Sequence, residues 1–544
     1  LNDIVADKGK PATSMALSAS TTRQDSAAYV AGYDAAGWTG SVVAYKVNAG
    51  TGSVETTGLW GTEPAVPATA TTPAIPAHPT STASIMDRTG FAPASRLVLS
   101  NQTTGAVSSG IAWTWANLDD SKKILLNTLD GTLDALGEAR LAYLRGDRSQ
   151  EGSPFRVRGS RHGDIVNSKV WRMPGYYLGS KTGSTTRPSM LYVGANDGML
   201  HGFDAANGQE KVAYVPEGLH AHLAELTRPG YLHRYYVDGS PFTADVNIGG
   251  WKSYLAGFPG AGGKGYFILD VTNPATFSGT APSGLVVLDN TATSDADVGH
   301  ILNAPVTEQT NEKIATQITR MNDGRWALVT GNGYNSSSEK AVLLVQYLDG
   351  NKELRKIVAD SAGGNGNGLS APRLIDLNGD GTADIAYAGD LKGKLWKFNL
   401  SSATASEWNV AFGGTPLFSA ATSQAITTAP AWMFHPDGGL MLMFGTGRSL
   451  TDSDRVDLSQ QAIYGIRDAT SFKLAGALVS LGTENNAVTG IGDLVAQTIG
   501  NATSGTATTG NQLFTLSSNT VNFTGANAKK GWYLNFPRAK ERSI

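Results

Sequence analysis

The chain has 544 residues with 65 glycines, 22 prolines and 16% charged residues, a composition that favours turn-dense β structure over helix. Its formal net charge of −3 gives no general attraction to nucleic acid or to anionic membranes. The sequence contains no cysteine, which excludes a disulfide scaffold, and no run of about 18 apolar residues that would predict a membrane span. Because its first residues lack a methionine and the layout of a signal peptide, the chain is expected to be a fragment of a longer protein.

Pairs of short apolar strands, each centred on glycine, recur along the chain. In the later pairs the central glycines follow one another at intervals of 56 to 74 residues. A loose period over short strands is typical of radial repetition, so the sequence predicts an all-β protein, a β-propeller rather than a sandwich. Residues 512–516 and 531–536 are expected to supply parts of a seventh blade. The six complete pairs lie within residues 28–45, 191–204, 254–270, 327–347, 385–398 and 442–466.

Two segments interrupt the strand pattern in the first third of the chain. Residues 62–82 hold five prolines among alanines and threonines, which predicts a mobile, extended loop. Residues 119–147 are expected to form a small helical insert, because leucines recur there at helical spacing. Gly131 and Gly137 weaken that pattern and leave two short helices as an alternative to one.

The helical insert ends in the tripeptide Arg145-Gly146-Asp147, which offers a candidate receptor-binding motif. The Asp147 carboxylate could reach a metal ion on a host integrin or another surface receptor. Three-residue motifs also arise often by chance, and Arg145 and Asp147 could instead cap the helix end and pair with neighbouring charges. The receptor hypothesis requires that the tripeptide be exposed.

His220 and His222 lie near Glu217, Glu225 and His233, a grouping that raises the question of a zinc site. Residues two apart on a short helix point to different sides, and neither cysteine nor HExxH spacing supports the metal. A structural turn is therefore the favoured interpretation.

The run of nine residues at 376–384 carries an oxygen-bearing side chain at every odd position. Calcium takes about six to eight oxygen ligands, and Gly381 falls at the sixth position, where an EF-hand loop needs glycine for its turn. An EF-hand would place a bidentate glutamate at position twelve, but Tyr387 stands there, so Asp384 is expected to complete a shortened shell. An Asx-rich turn is the alternative, although a turn alone does not need oxygens at a period of two. The predicted calcium ligands are the side chains of Asp376, Asn378, Asp380 and Asp384 and the backbone carbonyl of Thr382.

Several strings together resemble one known family. The string from Leu191 to Gly208 looks like a blade of the quinoprotein-type propellers. Taken with the other strings it is similar to the C-terminal domain of the type IV pilus tip-associated adhesins, the PilY/PilC family. These other strings are Leu144–Asp147, Tyr235–Pro241, Trp326 before Gly331–Asn335, and Asp376–Asp384.

The resemblance implies a modified seven-bladed propeller with quinoprotein-like blades, a single domain over residues 1–544 that carries a nine-residue calcium loop. It also implies a bacterial cell-surface location, at the pilus tip and associated with the outer membrane, for a secreted protein. The implied partners are the pilus machinery and minor pilins, and the implied roles are adhesion and calcium-linked control of pilus extension and retraction in twitching motility.

A quinoprotein dehydrogenase that uses pyrroloquinoline quinone is the alternative, because those enzymes share the blade type. The calcium loop lies between blade strands, away from a central cofactor, and no residue marks a catalytic base. Fold analogy is a weak argument for activity, so a non-enzymatic module is expected.

Overall fold

The computed structural model describes residues 12–17, 27–48, 50–69, 74–104, 107–176, 187–277, 282–421, 423–476, 478–484, 487–500 and 515–537. The chain divides into two compact units. Unit 1 comprises Leu1–Ser294 and His300–Ala304, and unit 2 comprises Asp295–Gly299 and Pro305–Ile544. Within the described ranges, no helix has the length and apolar character needed to span a membrane.

Unit 1 is built mainly from short strands. They are β1 (Ala12–Leu17), β2 (Ala27–Asp34), β3 (Thr39–Val47), β4 (Val54–Gly58), β5 (Thr62–Glu63), β6 (His78–Pro79), β7 (Val98–Thr104), β8 (Val107–Ala112), β9 (Thr128–Leu129), β10 (Thr132–Leu133), β11 (Trp171–Met173), β12 (Met190–Gly194), β13 (Leu200–Asp204), β14 (Glu210–Val215), β15 (Phe242–Asn247), β16 (Trp251–Gly257), β17 (Phe267–Asp270) and β18 (Val286–Asp289).

Three larger sheets organise these strands. Sheet 1 has the order β1-β2-β3-β4, sheet 2 the order β11-β12-β13-β14-β7-β8, and sheet 3 the order β15-β16-β17-β18. All neighbours are antiparallel except β14 and β7, which pair in parallel. Apolar side chains from sheets 1 and 2 form one buried cluster, and side chains from sheets 2 and 3 form another. The core of unit 1 therefore lies between successive sheets, where the alternation of strand side chains presents an apolar face to each neighbour.

Unit 1 also contains the short helices α1 (Thr82–Met86), α2 (Asp120–Leu126), α3 (Gly137–Leu144) and α4 (His220–Leu223). The insert at 119–147 thus holds two short helices, α2 and α3, joined by the β9–β10 hairpin. A single helix through the predicted series Leu125, Leu129, Leu133 and Leu136 is wrong, because Leu129 and Leu133 lie in that hairpin. Asp130 and Gly131 turn the hairpin with positive φ angles of 54° and 72°.

The proline-rich segment at 62–82 differs from the extended loop that its composition predicts. Strands β5 and β6 pair at its two ends, and Val66 and Ile75 exchange backbone hydrogen bonds further in. Residues 70–73 lie outside the described residues. Pro79, which pairs with Thr62, has no N–H to donate. It lies on an edge strand, where a sheet tolerates proline.

Unit 2 continues the strand pattern. Its strands are β19 (Thr307–Glu308), β20 (Asn311–Ala315), β21 (Ile318–Met321), β22 (Trp326–Gly331), β23 (Ala341–Tyr347), β24 (Leu354–Asp360), β25 (Arg373–Ile375), β26 (Thr382–Ala383), β27 (Ile385–Gly389), β28 (Lys394–Asn399), β29 (Asn409–Val410), β30 (Phe418–Ser419), β31 (Ala431–Phe434), β32 (Leu440–Gly445), β33 (Ala462–Asp468), β34 (Phe472–Ala475), β35 (Leu478–Leu481), β36 (Val495–Gln497) and β37 (Gly531–Asn535), and its helical turn is α5 (Ala411–Gly414).

Three larger sheets again carry the architecture. Sheet 4 has the order β24-β23-β22-β21-β26, sheet 5 the order β25-β27-β28-β29 with β30 also on β28, and sheet 6 the order β31-β32-β33-β37-β36. Buried clusters again join successive sheets, 4 with 5 and 5 with 6. Single 3-10 turns occur in both units, at Pro93–Ser95, Trp115–Asn117, Glu217–Leu219, Ala224–Thr227, Gly260–Gly262, Pro274–Thr276, Pro282–Gly284, Ala405–Glu407, Asp452–Arg455 and Ile491–Asp493.

The strand pairs predicted from the sequence are confirmed as antiparallel pairs, one in each larger sheet. They are β2–β3, β12–β13, β16–β17, β22–β23, β27–β28 and β32–β33. Of the residues assigned to a seventh blade, 531–535 form β37 and pair with β33 inside sheet 6, whereas 512–514 lie outside the described residues. Among the described residues no sheet closes on itself.

The repeated glycines have a packing reason. A Cβ at Gly194 would lie 2.3 Å from the Val237 carbonyl, at Gly331 2.0 Å from that of Ser370, and at Gly389 2.6 Å from that of Ile426. In each case the contacted residue belongs to the segment that leads into the next sheet along the chain. Glycine at the end of the strand therefore lets that backbone pass at a distance no side chain would permit.

Candidate metal-binding loop

The loop at 376–384 connects two antiparallel neighbours of sheet 5, β25 and β27, but it does not stay within that sheet. Its residues Thr382 and Ala383 form β26, which pairs in parallel with Arg320 and Met321 of β21 in sheet 4. The loop thus leaves sheet 5 after β25, adds β26 to sheet 4, and returns to sheet 5 as β27. Its conformation is therefore part of the joint between sheets 4 and 5.

Asp376 organises the first half of the loop. One carboxylate oxygen, Oδ1, accepts hydrogen bonds from the backbone N–H groups of Asn378 at 3.2 Å, Gly379 at 2.7 Å and Asp380 at 3.3 Å. The other oxygen, Oδ2, accepts from Gly381 N–H at 2.7 Å. A carboxylate that accepts several backbone donors holds a tight loop in one shape, which is why aspartate is favoured at this position.

Asp380 and Thr382 organise the second half. The Asp380 carboxylate accepts from the Thr382 backbone N–H at 2.9 Å and from its hydroxyl at 2.6 Å. Partial burial acts to raise the pKa of Asp380, but the donors of Thr382 and Asn378 outweigh it and lower that pKa. Gly379 and Gly381 have φ angles of 77° and 85°, so both need the left-handed conformation that glycine adopts without a steric cost.

Asp384 is a buried carboxylate, with 0% of its surface exposed. Its Oδ2 accepts from Leu377 N–H at 2.8 Å, and its Oδ1 accepts from the Asn322 amide at 3.2 Å. Among the described residues no lysine, arginine or histidine forms an ion pair with it. Burial raises the pKa of the Asp384 carboxyl above its usual range, and the negative charges of Asp376 and Asp380 add to that shift.

The donor set of the loop fits a hard divalent cation. Each carboxylate oxygen has two lone pairs, so the hydrogen bonds to Leu377 and Asn322 leave acceptor capacity on Asp384. A buried anion without a cationic partner is costly, and a bound cation would remove that cost. Within the described ranges, however, no three histidine, aspartate or glutamate side chains are already gathered around a common point where a metal could sit.

Asn322 is the residue of this site that the sequence did not reveal. Its side-chain amide donates to the carbonyls of Ala383 at 3.0 Å and Leu400 at 3.1 Å as well as to Asp384. Its side-chain oxygen accepts from the Thr382 hydroxyl at 3.2 Å. Asn322 follows β21 in what reads as an ordinary Asn-Asp-Gly turn, and it lies 62 residues before Asp384, so only the tertiary structure brings them together.

Receptor binding by Arg145-Gly146-Asp147 requires an exposed arginine, whereas the structure buries Arg145. Arg145 is only 8% exposed, and its guanidinium donates to backbone carbonyls, including Trp113 O at 3.0 Å and Arg96 O at 2.8 Å. Asp147 is half-buried and accepts from Ser149 N–H at 2.8 Å. The tripeptide terminates α3 and ties it to neighbouring loops, because a buried guanidinium must satisfy its five donors locally.

The histidines near Glu217 are likewise structural. The buried His220 ring accepts from the Trp113 indole N–H at its Nε2, 3.0 Å away, and its Nδ1 lies 2.9 Å from the Glu217 carbonyl. His233 pairs with Asp164 at 2.8 Å. Both nitrogens of His220 are therefore occupied by protein groups, as a structural turn predicts.

The comparison with known proteins places the chain in a family. Residues 163–507 match the family described as the PilY1 beta-propeller domain. The chain belongs to this family. The resemblance to the PilY/PilC adhesins and the propeller class predicted from the strand pairs are thereby confirmed.

Individual PilY1 proteins show the extent of the similarity. The type IV pilus biogenesis factor PilY1 of Pseudomonas aeruginosa (strain PAK) is 37% identical over 508 residues, which cover 84% of this chain and 41% of that protein. A PilY1 homolog of Xylella fastidiosa (strain Temecula1) is 32% identical over 502 residues, covering 82% of this chain and 32% of the homolog. The chain thus spans less than half the length of either relative.

A solved structure matches as well. The crystal structure of the Pseudomonas aeruginosa PilY1 C-terminal domain is 36% identical and superposes with a TM-score of 0.52, over 65% of this chain and 72% of that chain. The PilY1 relatives are named as pilus biogenesis factors, not as enzymes, which agrees with the non-enzymatic interpretation.

Proposed function

We propose that this chain is the calcium-binding propeller module of a type IV pilus biogenesis factor, acting at the pilus tip on the bacterial surface. In this proposal it forms a seven-bladed propeller with quinoprotein-like blades and works with the pilus machinery and minor pilins. Its calcium state biases pilus extension against retraction, and with it twitching motility and surface attachment. Family membership supports the pilus role, and the buried Asp384 supports the ion.

The uncompensated carboxylate is the observation that carries the calcium proposal. A fully buried aspartate in a protein interior is normally paired with a cation or a metal. Among the described residues, Asp384 instead has two hydrogen-bond donors, Leu377 and Asn322, and two further acidic residues nearby, Asp376 and Asp380. Alternating oxygens in a glycine-containing loop are the ligands that calcium, rather than zinc or copper, prefers.

The ligands would be the side chains of Asp376, Asn378, Asp380 and Asp384 and the Thr382 carbonyl. When bound, calcium supplies a divalent charge that offsets the mutual repulsion of the three carboxylates. The residues of the chain itself fix the conformation of the loop. Asp376 holds the turn through its backbone donors, and Asp384 fixes the loop end against Leu377 and Asn322.

The loop can transmit its state because it spans two sheets. Through one amide group, Asn322, next to β21 of sheet 4, contacts Ala383 of β26 in the same sheet and also Asp384 and Leu400, which flank β27 and β28 of sheet 5. A change in order at the loop therefore changes the joint between sheets 4 and 5. Binding only to the ordered form stabilises it by about 2.7 kcal/mol at a hundredfold excess of calcium over Kd.

Calorimetric titration of the purified chain with calcium tests the ligand assignment. We expect Asp384→Asn and Asp384→Ala to weaken calcium binding at least tenfold, because each removes the buried negative charge. Asp452→Asn is the matched control, since the Asp452 side chain is 97% exposed and lies outside the loop. Unchanged calcium affinity in both Asp384 variants would show that the carboxylate is not a ligand.

The link to the pilus is tested in the full-length protein. Asp384→Lys places an ammonium group where the cation is proposed to act and should mimic calcium occupancy in a pilus retraction assay. Asp384→Ala should behave like the metal-free state. If the two variants gave the same motility, the charge of the loop would not control the pilus.

A further inference from the structure

Unit 1 contains an open cleft, distant in sequence from the calcium loop. Its volume is about 410 Å³, and its lining includes Gly37, Trp38, Phe155, Arg156 and Tyr231. A smaller cavity shares Gly37, Trp38, Arg156 and Tyr231 with it and extends toward Asp164 and Asn196. Sites for small molecules usually measure about 300–1,000 Å³ and combine an aromatic lining with a few polar groups, a description that this cleft fits.

Trp38 forms one wall of the cleft and has an unfavourable backbone conformation. It ends the turn before β3 with a φ of 49°, in the left-handed region that is rare for a bulky residue. Its indole stacks on the His233 ring with centroids 3.6 Å apart, and His233 is held by Asp164 at 2.8 Å. Backbone strain of this kind concentrates at ligand sites, where the surrounding structure holds a side chain in a required position.

Arg156 supplies the charge in the cleft. Of three arginines that line the cleft and its smaller extension, Arg158 pairs with Glu151 at 2.8 Å and Arg161 lies 3.5 Å from Asp87. Arg156 has no acidic partner among the described residues. Its Nε donates to the Leu226 carbonyl at 2.8 Å, and its guanidinium lies over the Tyr231 ring, 4.1 Å from the centroid. A guanidinium oriented in this way presents its remaining donors for a carboxylate.

We propose that this cleft binds an acidic sugar, with the sugar ring packed on Trp38 and Tyr231 and its carboxylate paired with Arg156. The aromatic walls suit the apolar C–H face of a pyranose ring, and one unpaired guanidinium matches one carboxylate per sugar. A nucleotide, with two or more phosphate charges, would leave charge unpaired here. A peptide strand finds no sheet edge among the cleft residues, none of which lies in a strand, and Phe155 forms only an isolated bridge with Glu151. The ligand class is therefore a uronic- or sialic-acid-containing glycan, and this site is independent of calcium at residues 376–384.

Titration of the purified chain in a calcium chelator tests the proposal without involving the loop. The probes are hexamannuronate, hexagalacturonate and sialyllactose, each compared with its carboxyl-reduced or neutral counterpart. We expect at least one acidic probe to bind, with at least tenfold weaker binding of its neutral counterpart. Arg156→Gln and Trp38→Gly should each lower that affinity at least tenfold, glycine being chosen because it accepts the φ of 49°.

Matched controls separate the cleft from general surface effects. Arg88→Gln removes an arginine that is 55% exposed, and Trp251→Ala removes a tryptophan that is 39% exposed, and neither lines the cleft. Both controls should bind like the wild type. The proposal is overturned if no acidic probe binds at millimolar concentration, if the neutral counterpart binds equally, or if Arg156→Gln binds like wild type. It is also overturned if hexaglutamate binds as tightly as the sugars, since the site would then recognise acidic peptides.

Discussion

At the residue scale, buried polar groups decide what each candidate motif does. Arg145 and His220 bear the residue types of a receptor motif and a zinc ligand, yet both are buried and satisfied by protein groups. Asp384 is equally buried, but its negative charge is not balanced by a cationic side chain among the described residues. The difference lies in compensation, because a buried group that already has its partners is structural, and one that lacks them is a candidate site.

His220 makes a prediction about acid stability. Burial lowers the pKa of His220 from 6.5 to about 4, because the charged imidazolium loses its hydration in the core, and the positive charge of Lys122 adds to that shift. As the pH falls, His220 is protonated in the unfolded chain before it is protonated in the folded chain. The contribution of neutral His220 to the free energy of unfolding is therefore fully present above pH 6.5 and is lost as the pH falls from 6.5 to about 4. The loss should be on the order of 3 kcal/mol for this group. Urea unfolding at pH 7 and pH 4.5 measures it.

The control for the pH experiment is His220→Gln, which stays neutral throughout. Its free energy of unfolding should be lower at pH 7, through the lost packing, but should fall less between pH 7 and 4.5 than that of the wild type. Parallel pH dependences of the two proteins would contradict the assignment to His220.

At the element scale, the strand-ending glycines set how closely successive sheets approach. Each larger sheet contains one of the predicted glycine-centred pairs, and at Gly194, Gly331 and Gly389 the incoming backbone occupies the space of the missing side chain. At these three positions the glycine of the repeat is a packing requirement between sheets. At Gly257 a Cβ would instead lie 2.2 Å from the Phe267 ring on the neighbouring strand of the same sheet.

Gly389→Ala tests this requirement. A Cβ there would lie 2.2 Å from a methyl carbon of Ile426 and 2.6 Å from its backbone oxygen, so backbone as well as side chain must shift. We expect a loss of about 3 kcal/mol in the free energy of unfolding, the upper range for overpacking. Gly492→Ala is the matched control in the same unit, because a Cβ there meets nothing within 4 Å. Equal denaturation midpoints for the two variants would remove the packing explanation.

At the scale of the whole molecule, the two candidate sites belong to different compact units. The candidate metal-binding loop lies in unit 2, at the joint of sheets 4 and 5, and the aromatic cleft lies in unit 1. Each unit buries its apolar side chains between its own successive sheets. A ligand at one site therefore acts first on the packing of its own unit.

Hydrogen exchange with and without calcium checks this localisation. Calcium should slow amide exchange in peptides covering 318–323 and 375–385, since Asn322 and β26 connect those segments. Peptides covering the cleft at 152–159 should exchange at the same rate in both conditions. Magnesium at equal concentration is the control, because it demands a near-octahedral shell at short distances and gives up its waters reluctantly. Protection confined to unit 1 would contradict the proposed site.

Much of the fold could be predicted because it is written in local patterns. Apolar alternation and glycine spacing locate the central strand pairs. The oxygen-bearing side chains at every odd position of 376–384 predict a loop that turns and presents carboxylates. Helical spacing failed at Leu129 and Leu133, since leucine fits a hairpin as well as a helix when a turn intervenes. The turn at Asp130 and Gly131, and not the helix propensity of leucine, decides the local structure there.

By itself, then, the sequence determined the strand pairs, the propeller class and the oxygen-bearing side chains that the loop carries, since each depends on residues close together in the chain. The tertiary structure alone decided that Arg145 is buried, that Asn322 joins the loop, that Asp384 lacks a cationic partner, and that Trp38 and Arg156 share a cleft. Those facts depend on contacts between residues that are tens to more than a hundred positions apart. Burial and charge compensation are set by what the folded chain brings near, and no local pattern encodes that neighbourhood.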